Sequence, residues 1–367
     1  MQANEDIPSM PPRWLLRVGF ALRRALRDLH DRLVPAPVAL LERSMGVGRT
    51  ALLGSVARLG VADRLEAGPA TAETLARAAG VDADALERVL RALVADGVFA
   101  RDREGRYRNN RLSRGLLVTT PGGGPWMCAF SGAACNLHAW AALDHTVATG
   151  RSAFEHVHGR SVWAWCDDHP EDGETFAVGM QRMTALSVGA IADGGDFGRF
   201  GTVCDVAGGQ GLLLAAILRR HPAVLGVLTD RHAVLAGAGP LLDRHGVSDR
   251  CALVPVDMFV LLPDAADAYV LKDILHDWDD AAAGRILATV RRACPDGGRV
   301  VVVEMLAEPD APDPIVTFTD VLMMTCASDG RQRTLGELDA LLAGAGFERA
   351  RLAPLNGIYT LVEAVAR

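Results

Sequence analysis

The chain has 367 residues, half of them hydrophobic and 23% charged, which excludes a disordered protein and calls for two or more globular units with sizeable cores. A formal charge of −7 argues against an overall electrostatic grip on nucleic acid, and with no signal-peptide order and no uninterrupted apolar run of about 18 residues the expected location is the cytoplasm. Seven cysteines without a C-x-x-C pair read as reduced thiols with no zinc site.

Residues 1–37 read as a leader. Pro8, Pro11 and Pro12 precede a segment in which Arg13, Arg17, Arg23, Arg24, Arg27 and Arg32 alternate with Leu15, Leu16, Val18, Leu22, Leu26 and Leu29. This is the pattern of an amphipathic helix with one basic side, ended by Pro35 and Pro37 and packed on its own chain or on a dimer partner; a membrane surface is the alternative, without stable insertion. Residues 38–117 read as three helices, Leu41–Leu59, Thr71–Ala79 and Asp84–Asp96, with Thr71 and Asp82 as starting caps and Gly80 and Gly97 just past the ends. A hairpin turning near Glu104 and Gly105 completes a winged helix. Arg88, Arg91, Arg101, Arg103, Arg106 and Arg108 suit phosphate contacts, but Asp82, Asp84 and Glu87 accompany the first two, so a solvated or dimer-contacting face is expected and no nucleic acid.

Residues 118–198 read as a helical connector or substrate lid that opens at Gly122, Gly123 and Gly124. Its Trp126, Met127, Phe130, Trp140, Trp163, Trp165, Phe176, Met180 and Met183 serve either as core or as the wall of an apolar, ring-accepting pocket. Residues 199–367 alternate strand and helix: Thr202–Val206, helix Leu212–Arg220, Val224–Thr229, helix near Leu235–His245, Cys251–Pro255, Ala268–Lys272, helix Asp280–Ala293, Arg299–Glu304, helix Leu335–Ala343. That order predicts a parallel, doubly wound α/β sheet. Two last runs, Ala350–Leu355 and Ile358–Ala364, joined only by Asn356 and Gly357, must be antiparallel, because a parallel crossover needs a dozen or more residues.

The first strand of this sheet meets a Gly-rich turn that opens into a helix, Val203 to Leu214. Glycines admit close approach of a ligand to the backbone, and the helix offers unpaired N–H groups. The dinucleotide spacing G-x-G-x-x-G/A fails at Leu214. Asp205, Ala207, Gly208, Gly209 and Gly211 instead resemble the D-x-G-x-G motif of S-adenosylmethionine-dependent methyltransferases; a tight turn without a ligand is the alternative. Asp230 ends the second strand about twenty residues on, placed to accept both ribose hydroxyls. Asp257 and Met258 follow the third strand and offer an acceptor for the adenine amino group and an apolar flank to the ring.

The segment Leu-Lys-Asp-Ile-Leu-His-Asp-Trp-Asp-Asp, Leu271 to Asp280, together with Gly330-Arg331-Gln332-Arg333-Thr334, resembles plant-type small-molecule O-methyltransferases and their actinobacterial relatives in natural-product biosynthesis. The likeness runs from the winged helix to the C-terminus. It implies a Rossmann-like methyltransferase sheet behind a winged-helix dimerisation domain, a homodimer, S-adenosylmethionine as cofactor with S-adenosylhomocysteine as product, no metal, and a small aromatic acceptor. On that resemblance His276 is the general base, Glu304 its orienting carboxylate, Lys272 a contact to the amino-acid end of the cofactor, and Trp278 a neighbour of the adenine. It also implies an acceptor site of Phe176, Met180, Met183, Asp320, Met323, Met324 and Ala327. A histidine, titrating near neutrality, suits removal of a hydroxyl proton during an in-line substitution.

Two positions depart from the family pattern. Gln332 stands where a second glutamate is expected; it can orient an imidazole but cannot neutralise an imidazolium. Ala207 replaces the first glycine, adding one methyl group and favouring φ below zero. The expected reaction is methylation of a phenolic hydroxyl of a secondary metabolite. The alternatives are a relative that keeps the cofactor for hydroxylation, decarboxylation or a pericyclic step, and a winged-helix regulator.

Overall fold

The computed structural model describes residues 13–264, 266–310, 313–355 and 358–367. They form two compact units, one of residues 23–138 and 168–183, the other of residues 139–167 and 184–367 together with the start of the first helix.

The leader helix, Arg13–Arg32, belongs to the N-terminal unit from Arg23 on and is followed there by helices Ala36–Ser44 and Gly46–Arg58. The expected single helix from Leu41 to Leu59 is therefore broken at Met45, and Pro37 sits in the first turn of a new helix, where its missing N–H has no partner to lose. Thr71 and Asp82 cap helices Ala72–Ala79 and Ala83–Ala95: Thr71 Oγ1 accepts the Thr74 amide at 3.2 Å, and Asp82 Oδ1 the Ala85 amide at 2.8 Å. Strands β1 (Phe99–Arg101) and β2 (Tyr107–Asn109) pair antiparallel as the wing. Leu75, Leu86, Leu90, Leu93, Phe99 and Tyr107 fill the core between helices and wing. Two arginines of the wing are engaged within the chain, Arg101 with Glu87 at 3.1 Å and Arg106 with Asp102 at 2.8 Å.

The connector is shared between the units. Helices Gly124–Ser131 and Pro170–Thr184 lie almost wholly in the first, whereas Leu143–Thr149, Ala153–His158, Val162–Asp168 and Val188–Gly194 lie almost wholly in the second. Sequence order alone suggested one continuous block, because composition does not change where the chain passes from one core to the other.

The second unit is a seven-stranded sheet of β3 (Thr202–Val206), β4 (Leu225–Asp230), β5 (Cys251–Pro255), β6 (Ala268–Lys272), β7 (Arg299–Glu304), β8 (Phe347–Pro354) and β9 (Thr360–Ala366), in the order β5-β4-β3-β6-β7-β9-β8. The first five are mutually parallel and β9 runs antiparallel to both β7 and β8. The strands of this hairpin are joined by residues 355–359, longer than the expected two-residue link; Asn356 and Gly357 lie outside the described residues, and the Leu355 amide donates to the Tyr359 carbonyl at 2.8 Å. Apolar clusters cover both faces, one around Val302, Ile286 and Leu338, the other around Val301, Leu214 and Leu241. Strand β3 lies between β4 and β6, so the chain order reverses there; ligands of such sheets bind in the crevice this opens at the C-terminal ends of the strands.

One helix was not expected. Pro314–Cys326 starts from Asp313, whose Oδ1 accepts the Ile315 amide at 2.8 Å. Its sequence is mostly apolar and rich in β-branched residues, with Thr317, Thr319, Asp320 and Thr325 scattered around it, so it carries no clear 3.6-residue period. The Asp-Pro pair at its start, a cap followed by proline at the first helical position, was the available signal. Among the described residues no helix is long and apolar enough to cross a membrane.

Candidate active site

The turn after β3 is built around a close approach. A Cβ on Gly208 would lie 2.5 Å from Asp205 Oδ2, so only glycine fits. The Gly208 amide donates to the Thr229 carbonyl at 3.1 Å, and Gly209 (φ +63°) donates to Asp230 Oδ2 at 2.9 Å. Gly211 (φ +86°) begins helix Leu212–Arg220 without a side-chain cap, leaving first-turn amides for a ligand. Asp205 is 2% exposed, its Oδ2 has no partner, and burial pushes its carboxyl up to about 7 against the opposing pull of Lys272. Asp230 also accepts the Arg231 amide at 2.7 Å; burial raises its pKa while these backbone donors oppose the rise. An orphaned buried carboxylate oxygen, an open glycine turn and a carboxylate pre-oriented by two amides fit a nucleoside with a cationic tail.

Ala207 corrects an expectation. Its φ is +52°, so the replaced glycine matters through the backbone and not only through a methyl group. Ala207→Gly is expected to raise unfolding stability by about 0.5–1 kcal/mol, the relief of left-handed strain exceeding the extra chain entropy of glycine. Urea unfolding checks this, and a fall in stability would refute the strain argument.

Beyond the turn, Asp257 Oδ1 accepts the Phe259 amide at 2.9 Å, and Met258, Phe259 and Trp278 pack on the same apolar cluster. Trp278 meets Phe259 edge-on at 4.7 Å and lies 6.2 Å from the near-parallel ring of Trp163. Arg231 holds the Trp163 carbonyl at 3.3 Å and pairs with Asp167, which ties helix Val162–Asp168 to the end of β4. Phe259 and Arg231 were missed as parts of this wall, whereas Trp163 is among the residues whose sequence reading left core and pocket wall open.

His276 sits 6% exposed on a short turn after β6. Its amide donates to Glu304 Oε1 at 3.0 Å and its carbonyl accepts the Arg331 amide at 2.8 Å. Its Nδ1 lies 2.7 Å from Gln332 Nε2, and its Nε2 lies 3.5 Å from Asp277 Oδ1. Glu304 was expected to orient the imidazole; it holds the main chain of His276 instead, and the side chain against the ring is Gln332. Fully buried Arg333 fastens the same turn, donating to the Leu275 and Trp278 carbonyls at 2.7 and 2.8 Å and pairing with Asp280. Burial disfavours the imidazolium, but the charges of Asp277, Asp273 and Glu304 outweigh it and raise the pKa of His276 above its ordinary value. Burial likewise pushes Asp277 up to about 7.

Asp320, on the unexpected helix, accepts the Gln332 amide at 2.7 Å and so holds that residue, while Met323 and Met324 are half-buried on the same helix and Ala327 is buried just after it. Phe176, Met180 and Met183 lie on helix Pro170–Thr184, where Phe176 packs against Phe130 with centroids 5.0 Å apart. Asp277 was missed although it adjoins His276, and Asp273 and Tyr359 were missed because nothing in sequence links positions so far apart.

A glycine turn after the first parallel strand, a carboxylate ending the second, and a buried histidine after the fourth define a Rossmann-like methyltransferase site. The sequence profile of the O-methyltransferase domain matches residues 140–348, and that of the O-methyltransferase dimerisation domain matches residues 44–119. The chain belongs to the S-adenosylmethionine-dependent O-methyltransferase family. It is 35% identical to the phenazine O-methyltransferase of Lysobacter antibioticus over 331 residues, 90% of this chain and 96% of that one. It is 36% identical to the phenazine-1-carboxylate N-methyltransferase of Pseudomonas aeruginosa over 299 residues, 81% of this chain and 88% of the relative. The solved structure of an O-methyltransferase from neocarzinostatin biosynthesis, in complex with S-adenosylmethionine and 2-hydroxy-5-methyl naphthoic acid, superposes with a TM-score of 0.79. It is 33% identical, and the match covers 87% of this chain and 96% of that one.

Proposed function

We propose that this enzyme is a cytoplasmic homodimer that methylates a phenolic hydroxyl of an aromatic natural-product intermediate, with His276 as general base. The observation that carries the reading is a buried histidine whose main chain is fixed at amide and carbonyl and whose Nδ1 meets Gln332, so that Nε2, 3.5 Å from Asp277 Oδ1, is the ring nitrogen assigned to the proton transfer. Asp230 receives the ribose hydroxyls, Asp257 the adenine amino group, and Met258 and Trp278 flank the ring. Asp205, Gly208, Gly209 and Gly211 shape the turn, and Lys272 holds the amino-acid end.

Bound S-adenosylmethionine supplies an electrophilic methyl group on a sulfonium. His276 Nε2 would take the proton of the acceptor hydroxyl, which leaves that oxygen nucleophilic toward the methyl group the cofactor would supply. Nε2 is a base only if Nδ1 carries the hydrogen. The two ends of an amide are alike in shape, so Gln332 offers Nδ1 either Nε2–H or Oε1, and only Oε1 selects the productive tautomer. Glu304 and Arg333 hold the turn that presents the ring. Met323 and Met324, with Asp320 and Ala327, supply a soft, largely apolar side of the acceptor site.

The direct test is incubation with S-adenosylmethionine and a panel of hydroxylated naphthoates, phenazines and quinones, followed by mass spectrometry of the product. A gain of one methyl group on oxygen with matching release of S-adenosylhomocysteine supports the reading. Conversion without S-adenosylhomocysteine points to repurposed cofactor chemistry, and transfer to nitrogen overturns the hydroxyl assignment. Because the pKa of His276 is raised, the acid limb of kcat is expected above the ordinary imidazole range. Gln332→Glu puts a carboxylate at Nδ1, and is expected to move that limb up by about one pH unit and raise the alkaline plateau. An unmoved limb would show that Gln332 does not face the titrating base.

A further inference from the structure

Beside the base, at the end of β6, lies a buried cluster whose groups are not the acceptor of the transferred proton. Lys272 and Asp273 are ion-paired, with side chains 7% and 5% exposed. The C-terminal hairpin brings Tyr359 onto them: its hydroxyl donates to Asp273 Oδ2 at 2.7 Å, and Lys272 Nζ lies 5.0 Å from its ring centroid. Lys272 and Tyr359 thus share one carboxylate oxygen, while Asp273 Oδ1 is buried without a partner. Asp273 also holds a left-handed backbone, φ +53°, with its amide bonded to the Val303 carbonyl at 3.1 Å. A residue kept in that conformation with one oxygen unpaired is a place for a ligand donor.

A cation and an unpartnered carboxylate oxygen side by side are the complement of a zwitterion. We propose that Asp273 and Tyr359 complete the pocket for the amino-acid end of S-adenosylmethionine: Asp273 Oδ1 receives its ammonium beside the Lys272 ammonium that receives its carboxylate, and Tyr359 is the positioning residue that fixes the Asp273 carboxylate. The proposal rests on the assignment of Lys272 to that end of the cofactor.

Calorimetric titration with three ligands tests it: S-adenosylhomocysteine, its decarboxylated analogue with the amine retained, and methylthioadenosine, which lacks the whole amino-acid group. Lys272→Met is expected to weaken S-adenosylhomocysteine about tenfold and spare the decarboxylated analogue, since a hydrogen bond to a charged group is lost. Asp273→Asn keeps shape and tolerates the left-handed backbone; it is expected to weaken the decarboxylated analogue about tenfold or more. Tyr359→Phe is expected to weaken that analogue about threefold, by loss of one positioning hydrogen bond. Methylthioadenosine should bind all three variants as it binds the wild type. The proposal is overturned if Asp273→Asn leaves the decarboxylated analogue unaffected, or if methylthioadenosine weakens in parallel, which would mean general damage to the fold. Loss of discrimination in Lys272→Met alone, with Asp273→Asn silent, would keep the lysine assignment and reject Asp273. Failure of the wild type to bind any of the three would reject the cofactor site itself.

Discussion

His276→Ala is expected to lower kcat by about 10²–10⁴-fold at neutral pH, the usual range for losing a positioned general base. The fold should survive, because the bonds that Glu304 and Arg331 make to this residue go to its main chain and Arg333 fastens the carbonyls of Leu275 and Trp278. Binding of S-adenosylhomocysteine should stay within about threefold of the wild type, since the base acts in the chemical step and not in cofactor binding. The decisive control is pH. As pH approaches the acceptor's own pKa, about 10 for a simple phenol, the substrate ionises without help and the gap between variant and wild type should narrow. A variant that keeps more than about a tenth of kcat at neutral pH would transfer by proximity alone, and the base assignment would be wrong.

The second large effect is expected at Asp230. Two backbone amides hold its carboxylate, Gly209 on Oδ2 and Arg231 on Oδ1, so it stands pre-oriented at the end of β4 with lone pairs left for two hydroxyls. Asp230→Ala removes both charge-assisted acceptors and is expected to weaken S-adenosylmethionine about 10²–10³-fold, measured by calorimetry. Asp230→Asn, which keeps one acceptor oxygen, should lose about tenfold. Methylthioadenosine retains the ribose and should fall in parallel with the full cofactor, unlike its behaviour with the Lys272 and Asp273 variants. A change below about threefold in Asp230→Ala would move the ribose away from β4 and with it the whole cofactor reading.

Much of this was legible because the signals are local. Caps at Thr71 and Asp82, alternating strands and helices, and a short link between two apolar runs each constrain backbone geometry within a few residues. The glycine turn was legible for the same reason: the helix start and the carboxylate of Asp205 are built from adjacent positions, and a close approach leaves no room for a Cβ at Gly208. The helix Pro314–Cys326 escaped because its few polar residues are scattered around an otherwise apolar helix and leave no period to read.

By itself the sequence determined the class of sheet, the antiparallel C-terminal hairpin, the glycine turn after β3 and the residue types that gather near it. Only the tertiary structure decided which partner each reacting group has. It gave His276 a glutamine at Nδ1 and used Glu304 on the main chain, set Ala207 at positive φ, divided the connector helices between two units, and delivered Tyr359 to Asp273. The physical reason is that hydrogen-bond partners and backbone strain in a buried site depend on strands remote in sequence meeting at one edge of the sheet. Local propensity carries no record of that meeting.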